Sequence, residues 1–405
     1  MKRRDIVKGI TLLPLAGGAA ISLGTSPAVA AVAPERDFYK ELGIRVFINA
    51  AGTYTFMTAS LMPPEVVEAI RSSARQFALL DDVQDKVGEQ IARICKAEAA
   101  MVTAGCWSAL VLGMAGILTG MDDKKVAALP FLEGTGMKSE VIVQKTHAAG
   151  YHMALTHTGV KIVTVETTEE LRKAVNEKTA CLWFLNREAP AGAIKHEEWL
   201  KLGKELGIPT MIDIAADVPP VENLWRFNDM GFDLVCISGG KAMQGPQSAG
   251  ILMGKKNLIA AARLSAPPRS GIARGHKVNK EEIIGMYAAL DRYVKMDHAK
   301  EWAAWGQKIA LVSTHVKKVS GVKTEVVIPP IANHTPALKI SWDPNITKLT
   351  AAEFGKRMRE GSPSIEIVSW EEKESVKITV FMLKAGEDEI VGKRLREELE
   401  KASKA

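Results

Sequence analysis

Phe232-Asp-Leu-Val-Cys-Ile-Ser-Gly-Gly-Lys-Ala-Met-Gln-Gly-Pro-Gln-Ser-Ala-Gly-Ile-Leu-Met-Gly254 is the stretch that decides the fold. Its apolar run Leu234–Ile237 reads as a buried strand. The run ends in Ser238-Gly239-Gly240, where glycine lets the backbone turn sharply, and Lys241 follows at the strand's carboxyl end. A Gly-Pro turn then leads into a second apolar run, Ile251–Met253. A lysine held at a buried strand end suits Schiff-base chemistry with a carbonyl cofactor. The alternative is a solvated lysine in a Gly-rich loop.

Upstream, Pro209-Thr-Met-Ile-Asp-Ile-Ala-Ala-Asp-Val-Pro-Pro220 carries another apolar run, Thr210–Ile214, with Asp213 inside it. A carboxylate in such a strand is costly unless a cation or several donors meet it. Pyridoxal 5'-phosphate needs such a partner, because an Asp on its pyridine nitrogen keeps the ring protonated and able to accept electrons. Asp213 is the candidate, and Asp217, beside Pro219-Pro220, is read as a turn cap. A phosphate cradle is expected where the strand Ala99–Thr103 meets the helix Trp107–Thr119 through Ala104-Gly105-Cys106. Backbone N–H groups at such a turn favour a dianion. Thr103, Ser108 and Ser238 offer hydroxyls.

Together these segments resemble the selenocysteine synthase (L-seryl-tRNA selenium transferase)-like family of fold-type I pyridoxal-phosphate enzymes, which also holds D-glucosaminate-6-phosphate ammonia-lyases. The resemblance spans roughly residues 40 to 395 and runs through Leu42–Tyr54, Glu98–Gly105, Gln144–His147, Ile212–Ala216, Ser238–Lys241 and Lys277–Ile284. It implies that Lys241 is the Schiff-base lysine, Asp213 the pyridine partner, and His147 a ring stacked on the cofactor. Gly105 and Cys106 fall on its phosphate turn. It also implies a homodimer or larger homo-oligomer with active sites near the subunit interfaces.

The order of the elements leads to the same architecture. Apolar runs at Ala99–Thr103, Val141–Gln144, Lys161–Val165, Ala180–Leu185, Thr210–Ile214, Leu234–Ile237 and Ile251–Met253 are mostly separated by helical patterns. Such alternation predicts an α/β fold with a mainly parallel sheet. The last two runs are too close for a helical crossover, so one strand is expected to be antiparallel, at an edge. This is the seven-stranded, aspartate aminotransferase-like sheet that the family implies. Ligands in open α/β sheets bind beyond the carboxyl ends of the strands, where Gly105, Asp213 and Lys241 belong. The expected division is an N-terminal segment 31–60, a large cofactor domain 61–265, and a linker with a smaller α+β domain, 266–405.

Residues 1–30 carry a different signal. Lys2-Arg3-Arg4-Asp5-Ile6-Val7-Lys8, the apolar stretch Ile10–Leu23 and Ala28-Val29-Ala30 match a twin-arginine export signal, which predicts a periplasmic protein. Four basic residues against Asp5 assign three of the six net positive charges to this segment. The rest of the chain has dispersed basic residues and no broad nucleic-acid footprint, so a charged tRNA is not the expected partner. One short basic cluster, Arg263 to Lys280, makes Arg269, Arg274 and Lys277 candidates for an anionic substrate group. Arg187, at the end of Ala180–Leu185, is another candidate. In the small domain Glu366 stands where the family commonly has an arginine, so that segment is not expected to clamp a carboxylate.

Cys95, Cys106, Cys181 and Cys236 form no Cys-x-x-Cys pair and are expected to be buried free thiols. His147, His152 and His157 recur every five residues, about 140° apart on an ideal helix, so no metal site is expected. The expected function is an exported pyridoxal-phosphate lyase of the ammonia-lyase type. Its substrate would be a small β-hydroxy or amino-sugar-derived amino acid. Aminotransferase, racemase and aldolase chemistry share its first steps. Seryl-tRNA selenium transfer, or noncatalytic binding on an enzyme fold, are the remaining alternatives.

Overall fold

Strand Thr179–Leu185 is buried at every one of its seven residues. Its side chains alternate between two apolar cores: Cys181, Trp183 and Leu185 face one, Leu182 and Phe184 the other. A strand with both faces dry belongs at the centre of a sheet covered by helices on each side. The computed structural model describes residues 36–404, so the export signal expected at residues 1–30 lies outside the described residues. Residues 36–46 form a unit of their own around the single helical turn Phe38–Glu41, and the second unit begins at Phe47.

The second unit is built on a seven-stranded sheet. In chain order its strands are β1 (Ala99–Thr103), β2 (Glu140–Gln144), β3 (Lys161–Val165), β4 (Thr179–Leu185), β5 (Thr210–Asp213), β6 (Leu234–Ser238) and β7 (Gly250–Gly254). They lie side by side as β1-β7-β6-β5-β4-β2-β3. All neighbours are parallel except at β7, which runs antiparallel to both β1 and β6. The reversed strand is therefore present but is not an edge. After β6 the chain doubles back, and β1 closes over its far side, with Ala99–Thr103 opposite Gly254–Gly250.

Gly239 and Gly240, expected to permit a sharp turn, instead answer a lack of space. A Cβ on Gly239 would lie 2.0 Å from the Met286 sulfur, and one on Gly240 2.5 Å from the Gln247 Cα. Helix α1 (Gly105–Thr119) starts at Gly105, whose φ of 80° is the left-handed region that glycine tolerates. Its partner Gly250 has no room for a Cβ, which would sit 2.5 Å from the Gly105 carbonyl carbon. The start of α1 thus lies directly on β7.

After the linker come two helices, α2 (Lys280–Lys295) and α3 (His298–Val316). Ile283, Met286, Ala289, Leu290 and Tyr293 of α2 pack into the sheet's own core. A separate core begins with Ile309 of α3 and gathers the antiparallel strands β8 (Val322–Val327), β9 (Ala337–Trp342) and β10 (Ser375–Thr379). Helix α2 thus buries its apolar face against the sheet. Ser364–Val368 pairs at Ile365–Glu366, in parallel with Ile48–Asn49, and through an isolated antiparallel bridge between Val368 and Lys377.

Phe354 is fully buried in the small-domain core, with Trp342 edge-on at a ring separation of 5.5 Å. Phe354→Ala is expected to destabilise this core by about 3–5 kcal/mol. Denaturant unfolding should show a lower midpoint, and an unchanged one would contradict this packing.

Candidate active site

The carboxyl ends of β4, β5 and β6 open into a cleft of about 580 Å³ between the sheet and the small domain. Lys241, Asp213, Asp217, Leu185 and Arg187 line it from the sheet side. Tyr54 and Thr55, the Pro329–Asn333 loop, Lys377, Thr379 and Phe381 line it from the other. Two hydrogen bonds tie the small-domain side to the rest: Asn333 N–H donates to the Ala216 carbonyl at 2.7 Å, and Thr379 N–H to the Ala50 carbonyl at 2.9 Å. Ser60 Oγ donates to the Gly240 carbonyl at 2.7 Å, which fixes the Tyr54 loop to the loop carrying Lys241.

Asp213 is the last residue of β5 and is only 2% exposed. Its Oδ1 accepts Ala215 N–H at 2.9 Å and faces the Cys106 thiol at 3.6 Å. Burial raises its pKa from the ordinary carboxylate value, while the Ala215 N–H and the Lys241 charge oppose the rise. Burial and the Asp213 charge in turn push the Cys106 thiol well up, so it stays protonated and able to donate. Cys106, expected on the phosphate turn, thus also meets Asp213 through its side chain. All four cysteines are free and buried.

Among the described residues, no ion pair reaches Asp213, and no hydrogen bond or ion pair reaches the Lys241 amine. The first turn of α1 has no side-chain cap; its Cys106 lies beside Asp213, and neither Gly105 nor Cys106 is in the cleft lining. A half-satisfied buried carboxylate, an uncommitted lysine and an uncapped helix start are what a protonated pyridine, a carbonyl and a phosphate require. The residues present fit pyridoxal phosphate.

Other expected roles change. His147 is fully buried and does not line the cleft. Its Nδ1 accepts Leu185 N–H at 3.2 Å, and its ring stands edge-on to Phe184 at 4.4 Å. The ring lies within the protein core, where a Cβ on Gly192 would approach its Nε2 to 2.6 Å. Tyr151 borders the cleft instead, with the Arg187 guanidinium 5.3 Å from its ring centre. The Thr103 hydroxyl donates to the Gly105 carbonyl at 2.9 Å, and Ser108 Oγ meets His276 Nδ1 at 3.1 Å. The Thr103 hydroxyl thus holds the turn and that of Ser108 meets His276; neither residue lines the cleft. Ser238 also lies outside the cleft lining.

Of the cationic candidates, Arg187 faces the cleft, braced by Glu188 at 2.7 Å. Arg269 is paired with Asp81 at 3.1 Å, and Arg274 and Lys277 do not line the cleft. Glu366 is buried against Arg359 at 2.9 Å, in keeping with its having no carboxylate-clamping role. Asp217 was read as a turn cap, yet it is 2% exposed and on the cleft. The available signal was a second carboxylate just past the strand, followed by two prolines that cannot continue a helix.

This sheet order and this site define a fold-type I pyridoxal-phosphate enzyme, of lyase or transferase type. The chain belongs to the L-seryl-tRNA selenium transferase family, whose model matches residues 47–399. It is 27% identical over 383 residues to the D-glucosaminate-6-phosphate ammonia lyase of Salmonella typhimurium, covering 91% of this chain and 99% of that protein. It is 25% identical over 340 residues to a Streptomyces 5'-C-glycyluridine monooxygenase-decarboxylase, covering 81% and 83%. A solved structure of D-glucosaminate-6-phosphate ammonia-lyase superposes with a TM-score of 0.78 at 25% identity, over 91% of this chain and 99% of that one. Among the described residues no helix is long and apolar enough to cross a membrane.

Burial lowers the pKa of His147 from the ordinary 6.5 to about 4. Between those values the folded chain binds fewer protons than the unfolded one, so this residue's contribution to stability rises with pH from about 4 to 6.5 and is lost as pH falls. His147→Gln is expected to flatten that part of the melting temperature's pH dependence. An unchanged slope would contradict a buried, neutral His147.

Proposed function

We propose that this chain is a pyridoxal-phosphate lyase that releases ammonia and a 2-oxo acid from a small β-hydroxy or amino-sugar-derived amino acid. The observation that carries the reading is Lys241 and Asp213 on one cleft, each without an ion-pair partner among the described residues. Similarity to an ammonia lyase along nearly that protein's whole length supports the reaction class. When bound, pyridoxal phosphate supplies a carbonyl that condenses with amines and a ring that takes up the electron pair left at Cα.

The side chains divide the remaining work. Asp213 would hold the proton on the ring nitrogen, since a desolvated carboxylate favours an adjacent cation. The N–H groups that open α1 would receive the phosphate. Lys241 Nζ would anchor the cofactor and, once displaced by the substrate amine, take the Cα proton. Arg187 is placed to meet an anionic end of the substrate. The small-domain wall, with Pro329, Pro330 and Phe381, limits water around the reacting carbons. The β-hydroxyl departs as water, and hydrolysis of the resulting amino-alkene consumes one water and frees ammonia.

A charged tRNA is less well supported as substrate, because Arg263 and Arg269 of the basic cluster are neutralised by Asp81 and Asp85. Exposed Phe56, Leu61, Phe77 and Leu79 favour a homo-oligomer, which light scattering would test. Twin-arginine export to the periplasm is proposed on the residues 1–30 motif alone. Fractionation of cells with and without Arg3→Lys/Arg4→Lys tests it, and a location independent of that change would contradict it.

Borohydride reduction of the cofactor-loaded protein should fix pyridoxal phosphate to the peptide containing Lys241, and Lys241→Ala should lose that adduct. Asp213→Asn should retain the fold but lose ammonia release by about 10³-fold or more, roughly 4 kcal/mol of barrier. Near-normal turnover in Asp213→Asn, or transfer of the amino group to an added 2-oxo acid without free ammonia, would contradict the reading.

A further inference from the structure

Asp217 sits between two cavities. It lines the main cleft with Lys241 and Asp213, and it also lines a second cavity of about 200 Å³ with Asn186, His196, Asn223, Arg226 and His334. Its Oδ2 accepts Asn186 Nδ2–H at 2.8 Å, and the Asn186 carbonyl oxygen faces His196 Nε2 at 2.7 Å. Asn223 Nδ2 donates to the Asp217 backbone carbonyl at 2.6 Å, while the buried Asn223 Oδ1 has no hydrogen-bond partner. Oδ1 of Asp217 likewise has none among the described residues. The second cavity combines these polar side chains with apolar walls from Phe227, Pro330 and Ile331 and, at roughly 30 Å³ per water, is large enough for several. No cation lies within ion-pair distance of Asp217 among the described residues.

We infer that Asp217 is the proton donor to the departing β-hydroxyl, recharged through the small cavity behind it. This rests on the elimination reading above. In the step, Lys241 Nζ takes the Cα proton, the electron pair left at Cα forms the Cα=Cβ bond as the Cβ–O bond breaks with its pair going to oxygen, and the Asp217 proton bonds to that oxygen. Water leaves rather than hydroxide. The Asp217 carboxylate then takes a proton from solvent in the second cavity, and the Lys241 ammonium returns one.

The electrostatic setting suits this role. Burial raises the Asp217 pKa to about 7, and the neighbouring Asp213 charge adds to the rise, while the Asn186 hydrogen bond, Lys241 and Arg187 oppose it. The Lys377–Glu371 pair also faces the cleft, and His196, Arg226 and His334 face the cavity. A general acid works best with a pKa near the operating pH. Asp213 cannot serve, because its free oxygen is the one that suits the ring nitrogen.

The test compares a β-hydroxy amino acid with its β-chloro analogue, whose chloride needs no proton to leave. Asp217→Asn is expected to slow ammonia release from the hydroxy substrate by about 10²- to 10³-fold, while the chloro substrate changes only a few-fold. Equal loss on both substrates would overturn the inference and leave the elimination reading standing. Wild-type protein that releases ammonia from neither substrate would overturn both. Asn186→Ala provides a second variant should Asp217→Asn fold poorly. Removing its hydrogen bond raises the proton affinity of Asp217, so the alkaline limb of hydroxy-substrate turnover should move to higher pH, and an unmoved limb would overturn the inference.

Discussion

The site is organised by the burial of a carboxylate at the end of a central strand. Asp213 closes β5, the middle strand of the sheet, where water is excluded from both faces. An ionised group there is tolerable only if donors and a cation reach it. The chain supplies a backbone N–H from Ala215, a thiol from Cys106, and the nearby charges of Lys241 and Arg187. It leaves room for one more positive group on the cleft side. On the proposed function a pyridinium would fill that need, and the cofactor's binding and its ability to accept electrons would follow from one interaction.

The surrounding architecture keeps this interaction in register with the reacting groups. Parallel β4, β5 and β6 bring Arg187, Asp213 and Lys241 to the same rim, since their carboxyl ends point one way. The reversed β7 presses Gly250 against the start of α1, which holds Cys106 against Asp213. The small domain reaches the rim through the Pro329–Asn333 loop, hydrogen-bonded to Ala216 between the two buried carboxylates.

Much of the sheet was legible because its strands are dry on both faces and appear as continuous apolar runs, as at β4 to β6. Asp213 stood out as a carboxylate inside an apolar run, and Lys241 as a lysine just past the carboxyl end of a buried strand. The position of the reversed strand was not legible, because pairing of β1 with β7 joins segments some 150 residues apart. The family resemblance implied a cofactor-stacking role for His147, whose ring is instead packed in the core against Gly192 and Phe184. Arg269 resembled a substrate ligand until its distant partner Asp81 was in place. Asp217 looked like an ordinary turn residue. Its burial depends on the Pro330–Ile331 side of the small domain and on Asn186, neither of which is local to it.

The central claim is that Asp213 keeps the cofactor's ring nitrogen protonated. Nitrogen NMR of the protein reconstituted with pyridoxal phosphate labelled with ¹⁵N in the ring tests it directly. The account predicts a pyridinium resonance in the wild-type protein at neutral pH and its loss in Asp213→Asn. A neutral pyridine nitrogen in the wild type, or a pyridinium that survives in Asp213→Asn, would contradict it.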